Sequence, residues 1–178
     1  MRMIQSAHIR LKNNRRAVLD TCEVFPGEFE TMLLSPDSGY EIASAKAATE
    51  VEALSDFDRI RRQYEAPGPS GRYAALAEAL KAARDTGEQA AEALGDDWGT
   101  CNMDAPAVCL PRWNRQQVEA AAEAAGVGCF KWHSMGGGCY VFPLRFGYQG
   151  NANTAAAEAA RDSLKAAGYD ALVYYQID

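Results

Sequence analysis

The chain has 178 residues, of which 48% are hydrophobic and 24% are charged, and its formal net charge is −6. This composition is typical of one globular domain, or of one domain with a substantial extra segment, and it excludes collagenous, low-complexity and disulfide-scaffold classes. No apolar run approaches the ~18 residues that a membrane span needs, and the first residues lack the continuous apolar segment of a secretory signal.

The N-terminal segment is predicted to form strands. Residues 3–11 alternate partly between apolar and polar side chains, as strands do. Residues 29–34 and 40–43 flank a dense cluster of turn formers that includes Pro36 and Gly39. This arrangement predicts a β-hairpin.

Two helices are predicted next, on either side of a Pro- and Gly-rich break. Thr49 and Glu52 have the spacing of a capping box, which begins a helix over 50–64. A second helix over 71–94 carries apolar and small residues at alternating spacings of three and four, although Gly87 weakens it. This heptad seam predicts an antiparallel pairing with the first helix. A dimer through the same seam is the alternative.

The acidic turn after the second helix is interpreted as an internal boundary, which divides the chain into residues 1–97 and 98–178. The second part has the order β-α-β-β-α-β, with predicted helices that end at glycines. This order predicts an α+β fold whose C-terminal unit is ferredoxin-like, with an antiparallel sheet and both helices on one face. The six predicted elements are residues 105–110, 115–125, 127–134, 138–145, 153 or 154–167, and 171–177.

Alternation along these strands indicates an aromatic sheet face. Trp132 lies on one row of the central hairpin, Tyr140 and Phe142 lie on the facing row, and Tyr174 points away from the helices. If the two rows coincide, these four side chains are candidates for stacking on nucleic-acid bases or for anchoring a protein partner. Coverage of this face by the N-terminal segment is the structural alternative.

Charge is distributed unevenly. Residues 1–19 carry five bases and no acid, residues 20–104 carry 18 acids against 7 bases, and the remainder is balanced. An acidic middle segment favours a basic protein surface over a phosphate backbone, although a solvated helix face produces the same pattern. The acids predicted to contact a partner are Glu78, Asp85, Glu88, Glu92, Asp96 and Asp97. The bases predicted to contact a partner or nucleic acid are Arg10, Lys12, Arg15 and Arg16.

The five cysteines form no CxxC pair, and the chain has only two histidines. This set does not fit a zinc site, so we predict free thiols in a reducing cytoplasm, without a metal or a cofactor. Cys139 and His133 on neighbouring strands make a Cys–His pair conceivable, but no third group orients them. The prediction is therefore a protein without enzymatic activity.

Several short phrases resemble small accessory proteins carried by phages and integrative elements. Residues 30–32, a turn, and residues 48–54 are similar to the hairpin-and-helix opening of such proteins. The similar C-terminal phrases are Gly99-Thr100-Cys101-Asn102, Leu110-Pro111-Arg112-Trp113, Gln149-Gly150-Asn151 and Tyr174-Tyr175-Gln176. Accessory proteins of this kind include anti-CRISPR inhibitors, which the chain resembles in size, acidity and lack of a catalytic motif.

The resemblance implies a cytoplasmic phage or mobile-element protein, and it carries over no functional residue. With the acidic helix, it predicts a non-enzymatic protein that binds and inhibits a host defence nucleoprotein, such as the CRISPR effector Cas9. The alternative is a nucleic-acid-binding module that uses the basic N-terminus and the aromatic sheet face.

Overall fold

The computed structural model describes residues 1–13, 15–95, 99, 101–133, 138–144 and 147–176. It is α+β, with two antiparallel sheets and four helices in this described part, and it divides into two compact units, Met1–Pro67 and Gly68–Asp178. This division differs from the predicted boundary at residues 97 and 98. The reason is that the long helix before that boundary packs with the C-terminal elements.

The first unit begins with an antiparallel meander. Its strands pair in chain order and are β1 (Arg2–Arg10), β2 (Arg16–Phe25), β3 (Glu28–Leu34) and β4 (Glu41–Ala47). β3 and β4 are the arms of the predicted hairpin, whereas β2 was not predicted. Leu19 on β2 stands opposite Leu33 on β3, and both are fully buried.

Helix α1 (Glu50–Tyr64) covers one face of this sheet. Its side chains Ala53, Phe57 and Ile60 are buried. The predicted capping interaction is also present, because the Glu52 N–H donates to Thr49 Oγ1 at 3.2 Å. The Glu52 carboxylate accepts from the N–H of the residue before the cap.

The second unit combines three helices with a four-stranded sheet. Its elements are α2 (Arg72–Leu94), β5 (Ala105–Cys109), α3 (Arg115–Ala124), β6 (Phe130–Trp132), β7 (Cys139–Val141), α4 (Gly150–Ala166) and β8 (Ala171–Tyr174). The sheet order is β6-β7-β5-β8, and each described pairing is antiparallel. The strands β6, β7 and β8 are shorter than predicted, and α4 begins three or four residues earlier than predicted.

Helix α2 uses its apolar stripe inside the second unit. Leu76, Leu80, Ala83 and Gly87 are buried in one core with residues of α3 and α4. The prediction that this stripe pairs with α1 is therefore wrong. Small residues on both α2 and α4 let these helices approach closely, which favours this contact over pairing with the neighbour in sequence.

The prediction that the cysteines are all free thiols is wrong, because two of them form a disulfide. Cys109 and Cys139 stand directly opposite each other on the antiparallel strands β5 and β7, and their sulfur atoms are bonded at 2.05 Å. The spacing of 30 residues between them carries no local signal, so the sequence did not indicate this pair. Cys22 is a buried free thiol, as predicted.

None of the helices that the structure describes combines the length and apolar character needed to cross a bilayer.

Candidate functional site

Four predicted acids lie along α2 and form what we call the acidic face: Glu78, Asp85, Glu88 and Glu92. Glu78, Asp85 and Glu92 are exposed, and Glu88 is half-buried. Side chains seven residues apart return to nearly the same side of a helix, so the three exposed acids form one line. Asp96 and Asp97, which were predicted to extend this set, lie outside the described residues.

The acids of this face make few ion pairs, although the exposed Lys81 lies on the same helix, three residues after Glu78 and four before Asp85. Asp85 lies 3.4 Å from the guanidinium of Arg84. Within the described ranges, Glu78, Glu88 and Glu92 make no ion pair at 4.0 Å or less. The four carboxylates outnumber Lys81 and Arg84, so the acidic face presents a net negative potential to solvent.

The predicted bases come together at the β1–β2 turn, and we call this set the basic hairpin: Arg10, Lys12, Arg15 and Arg16. Arg10 stands directly opposite Arg16 across the two strands. Lys12, Arg15 and Arg16 are exposed, whereas Arg10 is half-buried. The turn thus carries four positive charges on one end of the first sheet.

The four predicted aromatic residues do not share a face. Trp132 and Tyr174 lie on the face of the second sheet that points away from the helices. Tyr140 and Phe142 lie on the other face, where they are 4% and 0% exposed in the helix-covered core. The prediction of one aromatic face is therefore wrong for Tyr140 and Phe142, because the two rows of the hairpin fall on opposite sides of the sheet.

On the open face, Trp132 and Tyr174 contact each other. Their ring centroids are 5.0 Å apart at an interplanar angle of 86°, and Phe130 meets Tyr174 in the same edge-to-face manner. These rings come from the two edge strands, β6 and β8, and pack with a buried cluster that includes Ala107 and Val141. The aromatic side chains thus close a small core instead of lying flat as stacking platforms.

A polar network occupies the end of this sheet, where β5 begins and α4 starts. The carboxylate of Asp104, which is 8% exposed, accepts from Asn102 Nδ2 at 2.9 Å and from Thr154 Oγ1 at 2.7 Å. Its other oxygen accepts from the Gln176 N–H at 3.0 Å. Asn153 donates to Asn102 Oδ1 at 3.0 Å and completes the network. These bonds join the start of β5, the first turn of α4 and the end of β8.

A cavity of about 230 Å³ lies beside this network. Polar groups of the network line one part of it, and aromatic rings of Phe130, Tyr148 and Tyr174 line another. The predictions had named Tyr174 but not Asn102, Asp104 or Thr154.

A Cys–His pair and a metal centre are the two chemical arrangements that the sequence analysis considered. Cys139 is held in the disulfide with Cys109, so in this state it carries no thiolate for a Cys–His pair with His133. In the part of the chain that the structure describes, no three His, Cys, Asp or Glu side chains are placed to hold a metal ion.

Comparisons with known protein families, with curated proteins and with solved structures found no match.

Proposed function

We propose that the protein is a non-enzymatic accessory protein of the kind that phages and mobile elements carry. It binds a basic surface of a host defence nucleoprotein in the cytoplasm and inhibits it, and a CRISPR effector such as Cas9 is the target class. The observation that carries the proposal is the acidic face, with Glu78, Asp85 and Glu92 exposed in one line on α2.

The packing of α2 gives this face a fixed geometry. The opposite side of the helix is buried at Leu76, Leu80 and Ala83, so the backbone that carries the acids is held in place. Because an α-helix rises about 1.5 Å per residue, residues seven apart are spaced by about 10 Å. A rigid line of carboxylates competes with phosphates for the lysines and arginines of a nucleic-acid channel, and long-range attraction speeds the encounter.

We further propose that the second unit is ferredoxin-like. The element order β5-α3-β6-β7-α4-β8 and the antiparallel sheet order β6-β7-β5-β8 support this assignment. Burial of Tyr140 and Phe142 on one face only, under the helices, supports it as well.

The direct test is DNA cleavage by guide-loaded Cas9, together with its binding to the protein. The test variant combines Glu78→Lys, Glu88→Lys and Glu92→Lys. A matched control combines Glu28→Lys, Asp37→Lys and Asp58→Lys, which are exposed acids of the first unit and change the net charge equally.

We expect the wild-type protein and the control to inhibit cleavage. The test variant is expected to bind at least about tenfold more weakly, because each reversal replaces attraction by repulsion. Binding of the wild type should also weaken with added salt. Absence of binding, or equal binding of the two triple variants, would contradict the proposal.

A second candidate function is direct nucleic-acid binding through the basic hairpin. The opposed Arg10 and Arg16, with Lys12 and Arg15 on the turn, favour it. This function predicts an affinity for DNA or RNA that falls steeply with salt concentration. It also predicts that the combined Lys12→Gln and Arg15→Gln variant binds nucleic acid more weakly and with a smaller salt dependence. Charge reversal on the acidic face should leave the affinity for nucleic acid undiminished.

A further inference from the structure

We propose that the cavity at the end of the second sheet binds a guanidinium group, such as that of an arginine side chain. The cavity has a volume of about 230 Å³, below the roughly 300 Å³ at which pockets for larger ligands begin. This size suits one side chain or a compact small molecule. Met103 and Phe130 line it and are both exposed, so the cavity is reached from solvent.

The charge of the residues that line the cavity indicates the charge of its ligand. Asp104 is the one charged residue among the described residues that line the cavity, and the residue as a whole is 8% exposed. Its three hydrogen-bond donors are an amide, a hydroxyl and a backbone N–H, all of them neutral. No described basic side chain lies within 4.0 Å of it. Because buried charges are normally paired, this carboxylate favours a cation in the adjacent space.

The aromatic walls favour the same sign of charge. The faces of aromatic rings carry negative potential and attract cations within about 6 Å of the ring centroid. Phe130 and Tyr174 line the cavity, and their edge-to-face contact, together with that of Trp132 on Tyr174, fixes the ring positions.

The planar shape and the donors of guanidinium fit this lining better than those of a compact ammonium ion. Guanidinium stacks on aromatic rings and presents five N–H donors in a fixed fork, whereas ammonium is a strongly hydrated point charge. The carboxylate of Asp104 can accept from that fork, because its two oxygens offer about four lone-pair sites and the donors named above use three of them. The amide oxygens of Asn102 and Gln176 already accept from Asn153 and from the Tyr174 hydroxyl.

The inference goes beyond the proposed function and does not depend on it. None of the residues that line the cavity belongs to α2 or to its acidic face. The guanidinium has two possible sources, an arginine side chain of a protein and a free small guanidinium compound, and the test separates them.

The test is an NMR titration of the full chain that follows the side-chain amides of Asn102, Asn153 and Gln176. The probes are a short glycine-flanked arginine peptide, the same peptide with neutral citrulline in place of arginine, and agmatine. We expect saturable shifts with the arginine peptide or agmatine and none with the citrulline peptide. Tighter binding of the peptide assigns the source to a protein, and tighter binding of agmatine assigns it to a small compound.

Two variants test the lining. Asp104→Asn removes the charge, and Phe130→Ala removes an exposed ring with little risk to folding. We expect each to weaken binding, the second by about threefold or more, which is the lower range of a cation–π contact. The matched control Phe25→Ala removes an exposed ring of the first unit and should change nothing. No saturable shift, equal shifts with citrulline, or unchanged binding by Phe130→Ala would overturn the inference.

Discussion

Gly87 on α2 lies against the backbone of Ala156 on α4. A Cβ atom placed on Gly87 would lie 2.8 Å from the Ala156 carbonyl oxygen and 3.0 Å from Leu144 Cδ1. Real Cβ atoms essentially never approach another heavy atom so closely. The glycine that weakens the heptad seam is therefore a point of close contact between the two helices, and α2 continues through it from Arg72 to Leu94.

Gly87→Ala is expected to destabilise the protein. Alanine in a helix interior is ordinarily favoured over glycine by about 1 kcal/mol. Here the added methyl group overpacks the contact with the Ala156 backbone, and overpacking of a tight core costs about 1–3 kcal/mol. Chemical denaturation measures the free energy of unfolding. The control Gln89→Ala, at an exposed position of the same helix, should be neutral or stabilising. A Gly87→Ala protein that is more stable than the wild type would refute the close packing.

Thr154→Val is expected to weaken the polar network at the end of the second sheet. The Thr154 hydroxyl donates to Asp104 at 2.7 Å and accepts from Asn102 at 2.8 Å. Valine keeps the shape but leaves partly buried polar groups unmatched, which costs about 1–3 kcal/mol. Thr154→Ser keeps the hydroxyl and should cost less. Equal free energies of unfolding for the valine and serine variants would show that the hydroxyl has no such role.

Tyr140 is expected to make the free energy of unfolding depend on pH in the alkaline range. Burial raises the pKa of its phenol above the ordinary value, so the folded state favours the protonated form. The contribution of the protonated phenol to the free energy of unfolding is fully present below about pH 10, which is the ordinary pKa of tyrosine. It is lost as the pH rises through the pKa of the folded state. The free energy of unfolding should thus fall above about pH 10, and less steeply in Tyr140→Phe. Parallel pH curves for both proteins would contradict the burial.

The Cys109–Cys139 bond predicts a specific digestion pattern. Because the two residues stand opposite each other on paired strands, the peptides that contain them should remain joined after digestion without a reductant and separate with one. Mass spectrometry of the purified protein measures this. A disulfide is more typical of an oxidising compartment, so the same measurement on protein trapped in cells also tests the proposed cytoplasmic location. Detection of only separate peptides would show both cysteines to be reduced.

Local patterns were sufficient to predict most of the individual elements. The capping box of Thr49 and Glu52 and the helix that it begins depend on neighbours within a few residues, and the structure has both. The hairpin of β3 and β4 was equally local. Strand β2 was missed, although the turn-forming residues Asn13 and Asn14 precede it in the sequence.

Non-local relationships were not accessible in the same way. Heptad spacing shows that α2 buries a stripe but not which element it faces, so the contact of Gly87 with α4 could not be predicted. Strand alternation assigns a row to Tyr140, but the register across β6 and β7 decides which face the row occupies. The network around Asp104 joins positions about 50 and 72 residues apart, and no spacing rule connects them.

The most direct measurement of the proposed function is an affinity pull-down of the tagged protein from bacterial lysate, with and without nuclease. The wild type is compared with the combined Glu78→Lys, Glu88→Lys and Glu92→Lys variant. The account predicts one defence nucleoprotein that is recovered after nuclease treatment and is depleted in the variant. Recovery that disappears with nuclease, or that is equal for both proteins, would contradict it.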